Sequence, residues 1–160
     1  MRILSIDPSI VNVGVAFILD GKYESSHTFR TKPTESRESR LSNIQDHFRS
    51  LKAHQVDAIL IEYPDSFIRY GNTAATNLVS LQMLHVAIGA IFAAMRETFP
   101  AATLRFVTVR EWKGKKGKQE ARDLARHYAG EKLNEHESDA LVMGIRIGIK
   151  SKLGISSLKA

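Results

Sequence analysis

Met1-Arg2-Ile3-Leu4-Ser5-Ile6-Asp7 opens the 160-residue chain with an almost unbroken aliphatic run that ends in a carboxylate. Asp57-Ala58-Ile59-Leu60-Ile61-Glu62 has the same character and the same ending. Short runs that are apolar on consecutive positions read as strands covered on both faces, as in a parallel sheet. Open α/β sheets place their sites beyond the carboxyl ends of such strands. Asp7 and Glu62 are therefore candidate site residues. A third acidic point, Asp139, lies in Asn134-Glu135-His136-Glu137-Ser138-Asp139-Ala140-Leu141. His136 and Asp139 stand three residues apart, hence on one face of a helix. Three carboxylates and an imidazole suit a hard divalent cation.

Working outward, a first strand at 2–7 is followed by a second at 13–19, which turns through Asp20-Gly21, a strong hairpin signal, into a third at 22–30. Leu41, Ile44, Phe48 and Leu51 are spaced by three and four and predict an amphipathic helix over 37–54. The fourth strand, 58–62, follows a helical crossover and is expected parallel to the first. Pro64 opens a loop over 63–72. A long helix over 73–97 is apolar on most of its circumference and must be buried against the sheet and something else, a partner subunit being one candidate. Gln82, His85 and the flanking Arg96-Glu97 make it a buried helix rather than a membrane span. Pro100 stops it, 103–107 reads as a fifth strand, and Thr108 is placed to cap a short turn. Helices over 118–129 and 134–150 complete the chain, the last capped by Asn134 with Glu137 three positions on. Glu135 and Glu137 are read as first-turn acids that favour the helix dipole, and Asp65 as a solvated loop acid.

The chain is long enough for one substantial core and is read as a single domain over 1–160. Apolar residues make up 43% and charged residues 25%, with no repeat, linker or low-complexity tract. There are no cysteines, which excludes a disulfide framework, a thiolate metal site and Cys redox chemistry, and suits a cytoplasmic protein. No secretory signal is visible at the N-terminus. The net charge is +6. Arg110 to Arg122 holds six basic residues against two acidic ones, a local balance of +4. A basic surface beside a carboxylate cluster would hold a polyanion while bound metal acts on it.

The order βββαβαβαα, with a hairpin at the front and helices on both faces, resembles the ribonuclease H-like arrangement. That implies a mixed five-stranded sheet of order 3-2-1-4-5 with strand 2 antiparallel. Ile6-Asp7-Pro8-Ser9 with Gly14, Ile61-Glu62, the long Ala/Leu helix and His136-Glu137-Ser138-Asp139-Ala140-Leu141 carry a closer likeness over nearly the whole chain. On these motifs the sequence resembles the RuvC-type Holliday junction resolvases. The resemblance implies that Asp7, Glu62, His136 and Asp139 hold divalent metal, Mg²⁺ or Mn²⁺, two ions per active site. Asp7 would bridge the ions, Glu62 and Asp139 would each anchor one, and His136 would complete a shell or transfer a proton. Lys118 is the best match to a catalytically supportive lysine, with Lys113 or Arg110 at an upstream basic position. Val109 to Gln119 is similar to the family segment whose basic residues contact DNA, which puts Arg110, Lys113, Lys115, Lys116 and Lys118 on the nucleic acid. Its Trp112-Lys113-Gly114 looks like phage-encoded relatives, hence a bacterial host cell.

Two such cations about 4 Å apart can activate water and stabilise the departing oxyanion of a phosphodiester. The expected activity is paired, symmetric hydrolysis of four-way DNA junctions. In the loop, Tyr63, Phe67, Arg69 and Tyr70 interleave aromatic rings with a cation, and the family's loop lies near the junction centre. Phe67, with Tyr70 second, is the candidate wedge against unstacked bases. The two-fold symmetry of a junction calls for a homodimer, which the apolar helix at 73–97 would supply. Neither a membrane nor a nucleotide cofactor is expected. Competing readings are another ribonuclease H-like nuclease, a non-catalytic junction-binding protein, and half of an actin-like ATPase or sugar kinase. The last lacks the second half that would close around a nucleotide.

Overall fold

A computed structural model describes residues 1–64, 75–114 and 117–154. Its strands are β1 (Arg2–Asp7), β2 (Asn12–Leu19), β3 (Lys22–Arg30), β4 (Ala58–Tyr63) and β5 (Thr103–Thr108). Its α-helices are α1 (Arg37–Ser50), α2 (Ala75–Thr98), α3 (Val109–Trp112), α4 (Lys118–Ala129) and α5 (Glu135–Gly154). The five strands form one sheet in the order β3-β2-β1-β4-β5. β2 is antiparallel to both β1 and β3, whereas β4 is parallel to β1 and β5. Asp20 and Gly21 both adopt positive φ, 53° and 82°, as the tight β2–β3 turn requires. The amphipathic run at 37–54 ends as helix at Ser50 and closes with a 3-10 turn over Leu51–Ala53.

Period-two alternation sorts the central strands between two layers. Leu4, Ile6, Val13, Val15, Phe17, Ile59 and Ile61 pack with Ile44 and Phe48 of α1 and with Ile88, Ile91 and Met95 of α2. Ile3, Ala16, Ile18 and Leu60 pack on the other face with Trp112, Ala121, Ala125 and the α5 residues Leu141, Met143 and Ile145. β2 serves both layers by the same alternation, and the register shift between Phe17 and Ile18 leaves Glu24 of β3 as the extra residue. The same alternation carries Ile3 to Ser5 to Asp7, and Leu60 to Glu62, so both strand-end acids fall on the α5 side. In the parallel β1–β4 register Ile6 faces Ile61. The next step brings Asp7 beside Glu62.

α2 packs on α1 and the sheet along one side only. Val79, Val86 and Phe92 remain exposed on it, beside an exposed Phe106 of β5 on which Phe92 stacks at 5.6 Å. By length and composition Val79–Thr98 could cross a membrane, but its buried residues belong to the core shared with α1 and the sheet.

On the β3 side, His27 Nε2 lies 3.1 Å from His47 Nε2, and Phe29 stacks on His47 with ring centroids 4.3 Å apart. Burial first, then the neighbouring His27, lowers His47 from the usual 6.5 to about 4. The folded state therefore resists a proton that the unfolded chain accepts, so stability is complete above pH 6.5 and falls as pH drops toward 4. With the ring only partly shielded from solvent, the loss is expected at about 1–2 kcal/mol after discounting for screening. Urea unfolding of wild type and His47→Gln at pH 7 and pH 5 checks this. Parallel losses in both proteins would remove the assignment to His47.

Candidate active site

Asp7, at the end of β1, is almost fully buried and faces Gly14 across the antiparallel β1–β2 pair. Gly14 is where α5 meets the sheet. A Cβ at this position would lie 2.2 Å from the backbone oxygen of His136, so only glycine allows the helix to start there. The start of α5 is also fastened to β3. Asn134 Oδ1 accepts from the backbone N–H of Glu137 at 3.1 Å, and Asn134 Nδ2 donates to Thr28 Oγ1 at 2.8 Å. With the helix end fixed, His136 Nδ1 sits 2.7 Å from Asp7 Oδ2. Asp139, one turn on, faces the same corner.

Glu62 is positioned from a different direction. β5 ends at Thr108, which caps α3 reciprocally with Glu111: Glu111 N–H donates to Thr108 Oγ1 at 3.3 Å and Thr108 N–H to Glu111 Oε2 at 2.7 Å. This one-turn helix drives Trp112 into the layer between sheet and α5, where it is 2% exposed. Its indole Nε1–H donates to Glu62 Oε2 at 2.8 Å, and Arg146 Nη1 donates to its backbone oxygen at 2.9 Å. Lys113 lies over the Trp112 ring, 4.9 Å from the centroid, and its Nζ reaches Asp139 Oδ2 at 3.1 Å.

The carboxylates feel one another. Burial raises Glu62 to about 8, and the charges of Asp7 and Asp139 push the same way, against the Trp112 hydrogen bond and Lys113. Burial also raises Asp7, with the His136 hydrogen bond and charge opposing and Asp139 adding to the rise. The hydrogen bond to Asp7 in turn raises His136. Three carboxylates thus share a poorly solvated corner with one imidazole and one ammonium, a negative excess that a divalent cation would relieve. Oxygen donors with one imidazole fit Mg²⁺ or Mn²⁺ by chemistry. By geometry the group is looser: among the described residues, no three His, Asp or Glu side chains close on a common point as a coordination shell. Here His136 and Lys113 occupy the oxygens of Asp7 and Asp139.

Of the basic candidates among the described residues, Lys113 is the one brought to the carboxylates. Lys118 is exposed at the start of α4 and pairs with Glu135 at 2.5 Å, and Arg122 joins the same carboxylate at 2.8 Å. Glu135, read as a dipole acid, is thus an ion-pair partner as well. Arg110 is exposed on α3. Asp65, Phe67, Arg69, Tyr70, Lys115 and Lys116 lie outside the described residues. Tyr63 packs between His85 and Phe106, with centroids 5.4 and 5.5 Å away. Sequence reasoning missed Trp112 as a partner of Glu62. The one available signal was Thr108-Val109-Arg110-Glu111, a capping box that fixes which way the following residue faces.

No family model matches this sequence, and no curated protein matches it. Solved structures do. RuvC of T. thermophilus in complex with a Holliday junction substrate superposes with a TM-score of 0.78 at 18% identity, covering 97% of each chain. A second Thermus thermophilus RuvC structure gives 0.75 at 20% identity over 96% of this chain and 97% of that one. Neither bears on a phage origin. At such identities the agreement is one of fold, and across nearly its whole length this chain has the ribonuclease H-like fold of RuvC.

Proposed function

We propose that this chain is a divalent-metal-dependent endonuclease, one domain over 1–160, that resolves four-way DNA junctions by paired hydrolysis. The observation that carries the reading is the convergence of Asp7, Glu62 and Asp139, with His136 and Lys113, at one corner of a RuvC fold. Asp7, Glu62, Asp139 and His136 are the residues that would hold Mg²⁺ or Mn²⁺, two ions per site. When bound, the ions supply an activated water and stabilisation of the leaving oxyanion. Asp7 keeps the His136 imidazole oriented through Nδ1, which suits it to complete the donor set or to carry a proton. Lys113 carries positive charge where a scissile phosphate would approach Asp139. Arg110, Lys115, Lys116 and Lys118 add backbone-directed cations, and the 63–72 loop, with Phe67, Arg69 and Tyr70, is assigned to the junction centre.

A junction has two-fold symmetry, so paired cuts need two sites related by a two-fold axis. The exposed apolar strip of Val79, Val86, Phe92 and Phe106 supports a homodimer through α2. Such an enzyme would work in the cytoplasm of a bacterial cell. One observation favours a second reading, a junction-binding protein that does not cut: Lys113 and His136 already satisfy Asp139 and Asp7. A labelled synthetic junction beside a linear duplex, with Mg²⁺, Mn²⁺ or EDTA, separates the two. Symmetric paired nicks on the junction alone, lost with EDTA, are expected. Binding with no nick under either metal would transfer the reading to the non-catalytic class.

A further inference from the structure

Trp112 is the single tryptophan of the chain and is buried. A buried indole needs a partner for its one polar atom. In most core tryptophans a carbonyl oxygen would serve, but here the partner is Glu62, a carboxylate of the site. The arrangement is held from three sides: by the Thr108–Glu111 cap before it, by Arg146 on its backbone oxygen, and by the core layer around it. Glu62 consequently has one oxygen tied by a hydrogen bond to a rigid donor, and its rotation about the last side-chain torsion is restricted. The same ring supports Lys113, which reaches Asp139. One side chain thereby governs two carboxylates that come from different elements of the fold.

We propose that Trp112 is a positioning residue of the active site: its indole N–H orients Glu62 toward a divalent cation, and its ring face steadies Lys113 beside Asp139. The inference rests on the nuclease reading for its purpose, but its test does not depend on cleavage. Groups that orient metal ligands in this way commonly change metal affinity or activity by about 10–100-fold when removed. Trp112→Phe keeps a buried aromatic ring and removes the N–H. Calorimetric titration of Mn²⁺ into DNA-free protein is expected to show binding weakened by about tenfold or more in Trp112→Phe. In a Glu62→Gln background the same substitution should add little, because the oxygen it orients has lost its charge. Junction cleavage by Trp112→Phe should lose kcat by a similar factor with KM nearly unchanged.

The native indole provides a second readout that needs no Trp112 variant. Mg²⁺ addition is expected to shift the emission of the wild type, and not that of Glu62→Gln. Affinity for Mn²⁺ within twofold of wild type in Trp112→Phe, equal losses in both backgrounds, or wild-type emission indifferent to Mg²⁺ would each overturn the proposal. Failure of the wild type to cut junctions bears on the nuclease reading alone, whereas the metal titrations bear on Trp112.

Discussion

Asp7→Asn is expected to lower junction cleavage by about a thousandfold or more while leaving junction binding intact, on the scale of losing a principal charge-stabilising group in a water-poor site. Asn keeps the size and one carbonyl acceptor, so His136 retains a partner for Nδ1. The charge is what disappears, and with it the central attraction for metal. Binding should hold, or tighten slightly, because one negative charge has been removed near a polyanion. Stability should not fall. Burial raises the Asp7 pKa in the folded state, so its ionised form is disfavoured there relative to the unfolded chain. Raised folded pKa values contribute stability only at low pH and lose it as pH rises through the folded value, so the advantage of Asn grows with pH above 3.8. Cleavage time courses, junction gel shifts and thermal melts on the same preparations check all three parts. Residual cutting within tenfold of wild type would reduce Asp7 to a residue that merely ends a strand.

Gly14→Ala should be the most damaging Gly→Ala change among the described glycines. The added Cβ would meet the backbone oxygen and carbon of His136 at 2.2 and 2.4 Å, and backbone cannot turn aside as a side chain can. Either β2 or the start of α5 must retreat by about an ångström, an overpacking penalty of about 3 kcal/mol. For a domain of this size that corresponds to a melting temperature lower by about 6–12 °C. Retreat of α5 also draws His136 away from Asp7, and misplacement on that scale costs about a hundredfold in rate. Gly89→Ala, where an added Cβ meets nothing within 4 Å, is the matched control and should stabilise helix α2 by about 0.5–1 kcal/mol. Equal melting temperatures for Gly14→Ala and wild type would show that the helix start adapts without strain.

The contrast between what could and could not be read in the sequence follows from the range of the interactions. The strands themselves, the Asp20-Gly21 hairpin, the Asn134 cap and the shared face of His136 and Asp139 all rest on alternation, turn chemistry or helical spacing, whereas the sheet order follows from the likeness of the whole element order to a known arrangement. The local signals lie within a few residues, and all of these parts agree with the structure. Helix ends were read less sharply: α1 stops at Ser50 because the chain tightens into a 3-10 turn, and α5 continues to Gly154. The parallel approach of Asp7 and Glu62 came from one topological rule rather than from any contact. Beyond that, Trp112 to Glu62, Lys113 to Asp139 and His27 to His47 join residues from separate elements, and no local pattern announces them. In the sequence Lys118 is the preferred supportive lysine and Lys113 only one of two candidates upstream of it; the turn of α3 sends Lys113 to Asp139 while Lys118 meets Glu135.

α5 is the last of the described elements in chain order, and it alone delivers His136 and Asp139. It also packs across β1 and β2, closing the second core layer. Synthesis proceeds from the N-terminus, and domains fold as units once their parts are available. A growing chain that already holds Asp7 and Glu62 in a nascent sheet thus carries half of the proposed donors. On the nuclease reading, any activity that rests on the complete cluster would begin only after α5 has been made and has docked, which would tie the onset of chemistry to the docking of that helix and spare nearby DNA from the unfinished polypeptide.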